Sequence, residues 1–397
     1  MMNILGARVV GPLEWYAAGF AEHLAWQGYA RSTRRQYMTL VAHLSRWLAG
    51  EALDAAGLTA DVARRYVEAR AAAGYRAFRS PRSLDALLCY LRGTGAAPDE
   101  PPVVPTTADA LVERFRTYLL SERGLKPNVA TFYVASVRPF VSIVVVADVV
   151  DVANVSARTV MAFLSDLARR LAPKTVQGRA SALRALLRFW FLDGVTDVDL
   201  SVSVPTVAHR PSGLPRGLPA GQITAMLASC DTRTANGLRD RAILTMLTRM
   251  GLRSAETAGL QLDDVDWRHG EVVVRGKGSR RDRLPLPADV GQILADYLRS
   301  GRPSGALDRC VFVRVKAPHR GMTNTGVTQV VNAAAHRAGL GTIYAHRLRH
   351  SAATAMLAAG APLAEIGQVL RHRSVLTTAI YANLRELHQT GEFLQVA

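Results

Sequence analysis

His346-Arg347-Leu348-Arg349-His350-Ser351-Ala352-Ala353-Thr354 is the stretch on which the reading of this chain turns. Its Ala- and Leu-rich continuation predicts a helix from Arg347 to Ala359, with further helices over Leu363–Leu370 and Val375–Leu384. His346 precedes Arg349 by one helical turn, so the two share a face. His346 and His350 have the spacing of two zinc ligands, but a zincin needs Glu directly after the first His, and Arg347 stands there. Other cations sit in short distinctive strings. Arg253 lies in Met250-Gly251-Leu252-Arg253-Ser254-Ala255-Glu256, and Lys277 lies in Arg275-Gly276-Lys277-Gly278-Ser279. His372 lies in Leu370-Arg371-His372-Arg373, and Tyr381 in Ile380-Tyr381-Ala382. Lys277 has no GxxxxGK[ST] around it, which excludes a P-loop, and no GxSxG occurs.

The ordered set Arg253, Lys277, His346, Arg349, His372 and Tyr381 resembles the catalytic set of the tyrosine recombinase/integrase family: Arg, Lys, His-x-x-Arg, His or Trp, then Tyr. The resemblance covers about 218–390 well and extends over 107–204 as the family's helical core-binding domain. It implies a mainly α protein with a small β-sheet in the catalytic domain. Helical DNA-binding domains would precede an α+β tyrosine-recombinase catalytic domain. Chemistry supports the assignment independently. Breaking a phosphodiester without a metal requires a nucleophile, charge on the non-bridging oxygens and an acid for the leaving oxygen. Tyr381 can attack phosphorus, and Arg253 and Arg349 can clamp the oxygens bidentately. His346 can act as base, and His372 can donate a hydrogen bond to the phosphate. Lys277 on a hairpin tip can protonate the departing 5′-oxygen, which Arg cannot do because it does not give up its proton. Glu256 orients Arg253 if it acts as the family's equivalent acid does. No metal, nucleotide or other cofactor is implied.

Each residue also has a plainer reading. Arg253 could pair with Asp263 or Asp264, Lys277 could be a solvated turn, and Tyr381 could be core. Three positions depart from the family pattern. Arg371 replaces the Gly common before the second His, so either the turn differs or Arg371 adds a DNA contact. Met250-Gly251 stands for the frequent Thr-Gly, and Arg347 for a frequent Asp. None removes a catalytic group.

The catalytic stretch also predicts a strand over Glu271–Arg275, a turn at Gly276–Ser279 and a returning strand over Arg283–Leu286. Helices are expected over Gln222–Leu227, Asp240–Met250 and Val327–Ala338. Two Pro-rich stretches, Gly93–Thr107 and Pro205–Pro219, read as linkers. They divide the chain into 1–95, 107–204 and 218–397. The first two pieces look like diverged copies of four or five helices each. Phe20 and Leu24 match Phe115 and Leu119; Gly28 and Tyr37 match Gly124 and Tyr133; Leu87 and Gly95 match Leu186 and Gly194. Residues 1–95 read as a second core-binding-like domain or an arm-binding module. Ser32-Thr33 would cap a helix bearing Arg34 and Arg35, and Lys174-Thr175 precedes Arg179 and Arg184. These basic helix starts, with Arg280 and Arg281, are the candidate DNA contacts.

Composition agrees with a polyanionic partner. The 397 residues carry 49 Lys+Arg against 32 Asp+Glu, a net charge of +17. With 49% hydrophobic and 20% charged residues, real cores form and disorder is excluded. Cys89, Cys230 and Cys310 offer no disulfide framework or zinc spacing and read as three buried thiols in a reducing cytoplasm. No run approaches the roughly 20 apolar residues a membrane span needs, and no signal peptide is read.

The expectation is therefore a cytoplasmic site-specific DNA recombinase of integrase or transposase type. It would act on double-stranded DNA sites through a 3′-phosphotyrosyl intermediate and a Holliday junction, as a homotetramer on two sites. A related recombinase or accessory proteins could join it. The rivals are a Xer-type resolvase, a type IB topoisomerase-like strand transferase, and a non-enzymatic DNA-binding accessory protein. The tail after Tyr381, with Leu384, Leu387, Phe393 and Leu394, packs either on a neighbouring protomer or on its own domain.

Overall fold

A computed structural model describes residues 2–100, 105–151, 155–206, 217–276 and 281–371. By contacts the chain forms two compact units: 101–213, and the N-terminal hundred residues together with the stretch from 214 onward.

The N-terminal hundred residues open with a hairpin, β1 (Met2–Ile4) and β2 (Ala7–Val9), that the sequence reading missed. Three residues per strand are too few to show alternation. Helices α1 (Glu14–Trp26), α2 (Arg31–Gly50), α3 (Ala60–Ala72) and α4 (Asp85–Gly93) follow. Helix α2 carries an apolar stripe: Leu40, Leu44 and Leu48 are buried, and Trp47 packs against the same core. The capping expectation is corrected. The N-cap of α2 is Ala30, whose carbonyl accepts from Arg34 N–H at 2.9 Å, so Ser32 and Thr33 lie inside the first turn. The backbone leaves the extended region at Ala30, two residues earlier than the hydroxyls suggested.

The middle unit repeats the plan with α5 (Thr107–Ser121), α6 (Pro127–Val144), α7 (Ala157–Arg170) and α8 (Pro173–Leu192). Thr106 and Asp109 close a capping box on α5, a sharp start just past the Pro-rich stretch. Between α6 and α7 lies a hairpin, β3 (Val145–Val146) and β4 (Val149–Val150). Its turn residues Ala147 and Asp148 both have positive φ, 49° and 62°, as a type I′ turn requires. The matched positions occupy matching places. Phe20 and Leu24 on α1, and Phe115 and Leu119 on α5, are all fully buried. Leu87 and Leu186 sit in the respective cores, while Gly95 and Gly194 follow the last helices with φ of 71° and 73°.

The third stretch has α9 (Ala220–Ala228), α10 (Ala235–Arg249) and α11 (Ser254–Ala258). Helix α10 starts five residues before the expected Asp240, because Thr234 accepts from Gly237 N–H and caps it there. A three-stranded antiparallel meander follows: β5 (Val265–Asp266), β6 (Glu271–Arg275) and β7 (Arg281–Pro285). Strand β6 matches its expected bounds. Its register puts Val272 opposite Val265 on one side and Leu284 on the other, and all three face the core. Then come α12 (Ala288–Asp296), α13 (Asn324–Arg337), α14 (Ala345–Ala358) and α15 (Leu363–Val369). Buried Ile243, Met246, Leu247, Phe312, Val331 and Leu348 centre this core. The expected helix over 375–384 lies outside the described residues.

The thiol expectation needs correction. Cys230 is buried and Cys310 half-buried, but Cys89 is exposed on α4. Its neighbours Leu87, Leu88 and Leu91 take the inner face of that helix instead.

Candidate active site

Three segments distant in sequence meet around the Arg349 guanidinium. The first is the turn between α10 and α11. Gly251 has φ of +60°, which strains any side chain, and a Cβ there would stand 2.6 Å from Leu370 Cδ2, which would have to shift. That turn buries Leu252 and delivers Arg253 to the N-cap of α11. The second segment is the start of α14, carrying His346 and Arg349 on one face. The third is the end of α15, with Leu370 and Arg371.

Arg349 is 2% exposed. Its Nη1 donates to the Gly251 carbonyl, and its Nη2 donates to the Leu370 carbonyl. One buried cation thus ties the first and third segments to the second. Glu256, on the one turn of α11, holds Arg253 twice. Its Oε2 accepts the Arg253 backbone N–H at 2.9 Å, and its Oε1 accepts Nη1 at 2.6 Å. The reach from N3 back to the N-cap is half of a capping box, which explains why Glu stands three residues after Arg253. The Arg253 side chain keeps 42% of its surface exposed, whereas that of Glu256 keeps 5%. Burial pushes the Glu256 carboxyl up, but the Arg371 charge and the Arg253 hydrogen bonds outweigh it and leave it below the usual range.

His346 stacks edge-on against His350, with ring centroids 4.3 Å apart. Crowding around its ring, then the charges of Arg349 and Arg253, hold it below the ordinary histidine value. The residue still presents a face to solvent, which weakens the first cause and leaves the two cations as the durable one. A neutral imidazole can accept a proton.

The sequence-derived set is therefore brought together in part. Arg253, Glu256, His346 and Arg349 converge; Lys277, His372, Tyr381 and Arg280 lie outside the described residues. Arg275 and Arg281 are cross-strand partners on β6 and β7. Asp263 pairs with Arg309 and Asp264 with Arg275, so neither is the partner of Arg253. Among the candidate DNA contacts, Arg35 and Lys174 are exposed, and Arg34 and Arg179 are half-buried. Arg184 donates to the carbonyls of Val204 (3.0 Å) and Pro205 (3.2 Å), which commits it to closing the middle unit. Sequence reasoning missed the link from Arg371 to Glu256 (2.5 Å), since nothing local joins residues 115 apart.

Comparison with known proteins identifies the arrangement. Residues 216–388 match the phage integrase family, and 112–193 match its N-terminal SAM-like domain. A putative integrase/recombinase, y4rA of Sinorhizobium fredii, is 36% identical over 94% of this chain and 92% of its own length. The chain belongs to the tyrosine recombinase/integrase family. The tyrosine recombinase XerD of Listeria monocytogenes is 31% identical over 72% of this recombinase and 97% of its own length. In fold, the recombinase is similar to XerH bound to a palindromic difH substrate, with TM-score 0.56, 18% identity and coverage of 74% and 98%. It is also similar to a lambda integrase fragment dimer bound to a COC′ core site, with TM-score 0.54, 14% identity and coverage of 68% and 94%. The expected recombinase fold, mainly helical with a small sheet in the catalytic part, is thereby established.

Proposed function

We propose that this site-specific recombinase cuts and rejoins duplex DNA with Tyr381 as its nucleophile. The convergence of Arg253, His346 and Arg349 carries the reading: two cations and a base with lowered proton affinity within one small site. Tyr381 transfers its proton toward His346 and bonds to phosphorus through its phenolic oxygen. The phosphorus–5′-oxygen bond breaks, and Lys277 supplies the proton that leaves with the 5′-hydroxyl. The strand stays attached through a 3′-phosphotyrosyl ester, so a 5′-hydroxyl from another strand restores the diester by the reverse steps. Arg253, with part of its surface open, presents N–H groups to the non-bridging oxygens, Arg349 supplies charge from beneath, and His372 adds a hydrogen bond.

Four protomers on two sites, exchanging strands pairwise through a Holliday junction in the cytoplasm, complete the reading. Residues 1–95 act as a second core-binding-like module, supported by the shared four-helix order and matched core positions. An integrase or transposase role is favoured over resolution by a Xer enzyme. The y4rA relative spans 94% of the chain, whereas XerD spans 72% and leaves over a quarter without counterpart. The test is a plasmid carrying two copies of the DNA flanking the gene. Recombinant circles support the reading, while relaxation without exchange supports a topoisomerase-like strand transferase.

A further inference from the structure

Arg371 stands where the sequence pattern of the family has glycine. Its φ is +55°, a region that side chains rarely adopt. Its side chain is 6% exposed and reaches across to α11, where Nη2 donates to Glu256 Oε2 at 2.5 Å. Nη1 donates to the Val369 carbonyl at 3.2 Å, which fixes the arm of the side chain against α15. Glu256 is thus shared: Oε1 serves the Arg253 guanidinium, and Oε2 serves the Arg253 backbone and Arg371. Arg253 already engages both carboxylate oxygens, and Arg371 adds a third, charged and buried donor at Oε2.

We infer that Arg371 is a positioning residue: it locks Glu256 and through it sets the Arg253 guanidinium for the phosphate. The inference rests on the recombinase reading above. The charge of Arg371 also neutralises Glu256, so less of the Arg253 charge is spent there and more remains for phosphate. The same contact anchors the end of α15, directly before His372 in the sequence, to the helix that carries Arg253. The alternative use of Arg371 is direct contact with DNA, against which its 6% side-chain exposure and its buried Nε speak.

The test compares wild type, Arg371→Gly, Arg371→Lys, Glu256→Gln and the Arg371→Gly/Glu256→Gln double variant on a nicked suicide substrate. Covalent-adduct rate at saturating DNA is measured beside DNA affinity as a function of salt. Positioning predicts that Arg371→Gly slows adduct formation about 10- to 100-fold. It predicts unchanged affinity and salt slope, partial rescue by Lys, and a double variant no slower than the slower single. Multiplying rate losses, or a salt slope reduced by about one, would overturn the inference in favour of direct phosphate contact. An unchanged rate overturns it as well. Thermal melting of the same four-member cycle without DNA tests the link apart from catalysis. Non-additive midpoints support it, and additive midpoints overturn it. If wild type binds its site but forms no adduct, the recombinase reading fails, and melting alone still decides whether Arg371 holds Glu256.

Discussion

Arg349 and His346 divide the work of one helix turn. The arginine is buried and ties three segments together, and the histidine stands exposed at the same helix start. Because the cations beside His346 lower its proton affinity, the folded chain binds that proton less readily than the unfolded chain. The contribution is fully present above the ordinary histidine value of about 6.5 and is lost as pH falls through it toward the lower folded value. Thermal melting should therefore soften as pH falls below about 6.5, and His346→Asn should flatten that dependence; an identical slope in the variant would contradict the assignment. Adduct formation should correspondingly persist into mildly acidic buffer before falling. The Glu256 carboxylate has the opposite chemistry but the same slope. Its lowered folded value gives stability present above the usual Glu range and lost as pH falls through the folded value, so Arg371→Gly should shrink that acid loss. At this scale the sequence was informative where type and order carry chemistry. The grouping of Arg253, Glu256, His346 and Arg349 was legible as an ordered set resembling a family's pattern, and the four do converge. Arg371 was noticed as a departure, but its partner was hidden, since contacts across 115 residues depend on how α11 and α15 pack.

Elements were legible in proportion to their length. Strand β6 was read correctly from a β-branched run, and α14 from a long Ala-rich one. The two-stranded hairpins were missed because two or three residues carry no period, and turn chemistry at Ala147-Asp148 is atypical. That atypical turn yields a prediction. Ala147 has φ of 49°, where Asn is far better tolerated, while Asp148 accepts from the Thr107 N–H at 2.6 Å and should be kept. Ala147→Asn should raise stability by about 0.5–1 kcal/mol, read as a higher denaturant midpoint. A lower midpoint would mean that the hairpin is not a type I′ turn in solution. Helix α8 shows the limit of reading basic helix starts as DNA contacts. Arg184 spends its donors on Val204 and Pro205, while Lys174 stays exposed at the first turn.

For the whole molecule, a net charge of +17 should make DNA affinity steeply salt-dependent. If six to ten phosphates are neutralised, affinity falls about 10³- to 10⁵-fold between 50 and 200 mM salt. Arg35, exposed on α2 of the N-terminal module, should account for about one phosphate contact. Arg35→Ala should then reduce the salt slope by about 0.9; an unchanged slope would place that helix face off the DNA. Phe20 and Leu24, like Phe115 and Leu119, are buried on the first helix of their own four-helix stretch, which is what the reading of two diverged copies requires. Where Lys277, His372 and Tyr381 stand relative to Arg253, His346 and Arg349 was not legible, because they are spread over 105 residues of sequence. The most direct measurement is adduct trapping on a suicide substrate from the gene's flanking DNA, comparing wild type with Tyr381→Phe. A Tyr381 nucleophile gives a protein–DNA band that survives denaturant, forms equally in EDTA and vanishes in the variant. A wild-type protein that binds the site tightly yet forms no such band, or a variant that still forms it, would contradict the central claim.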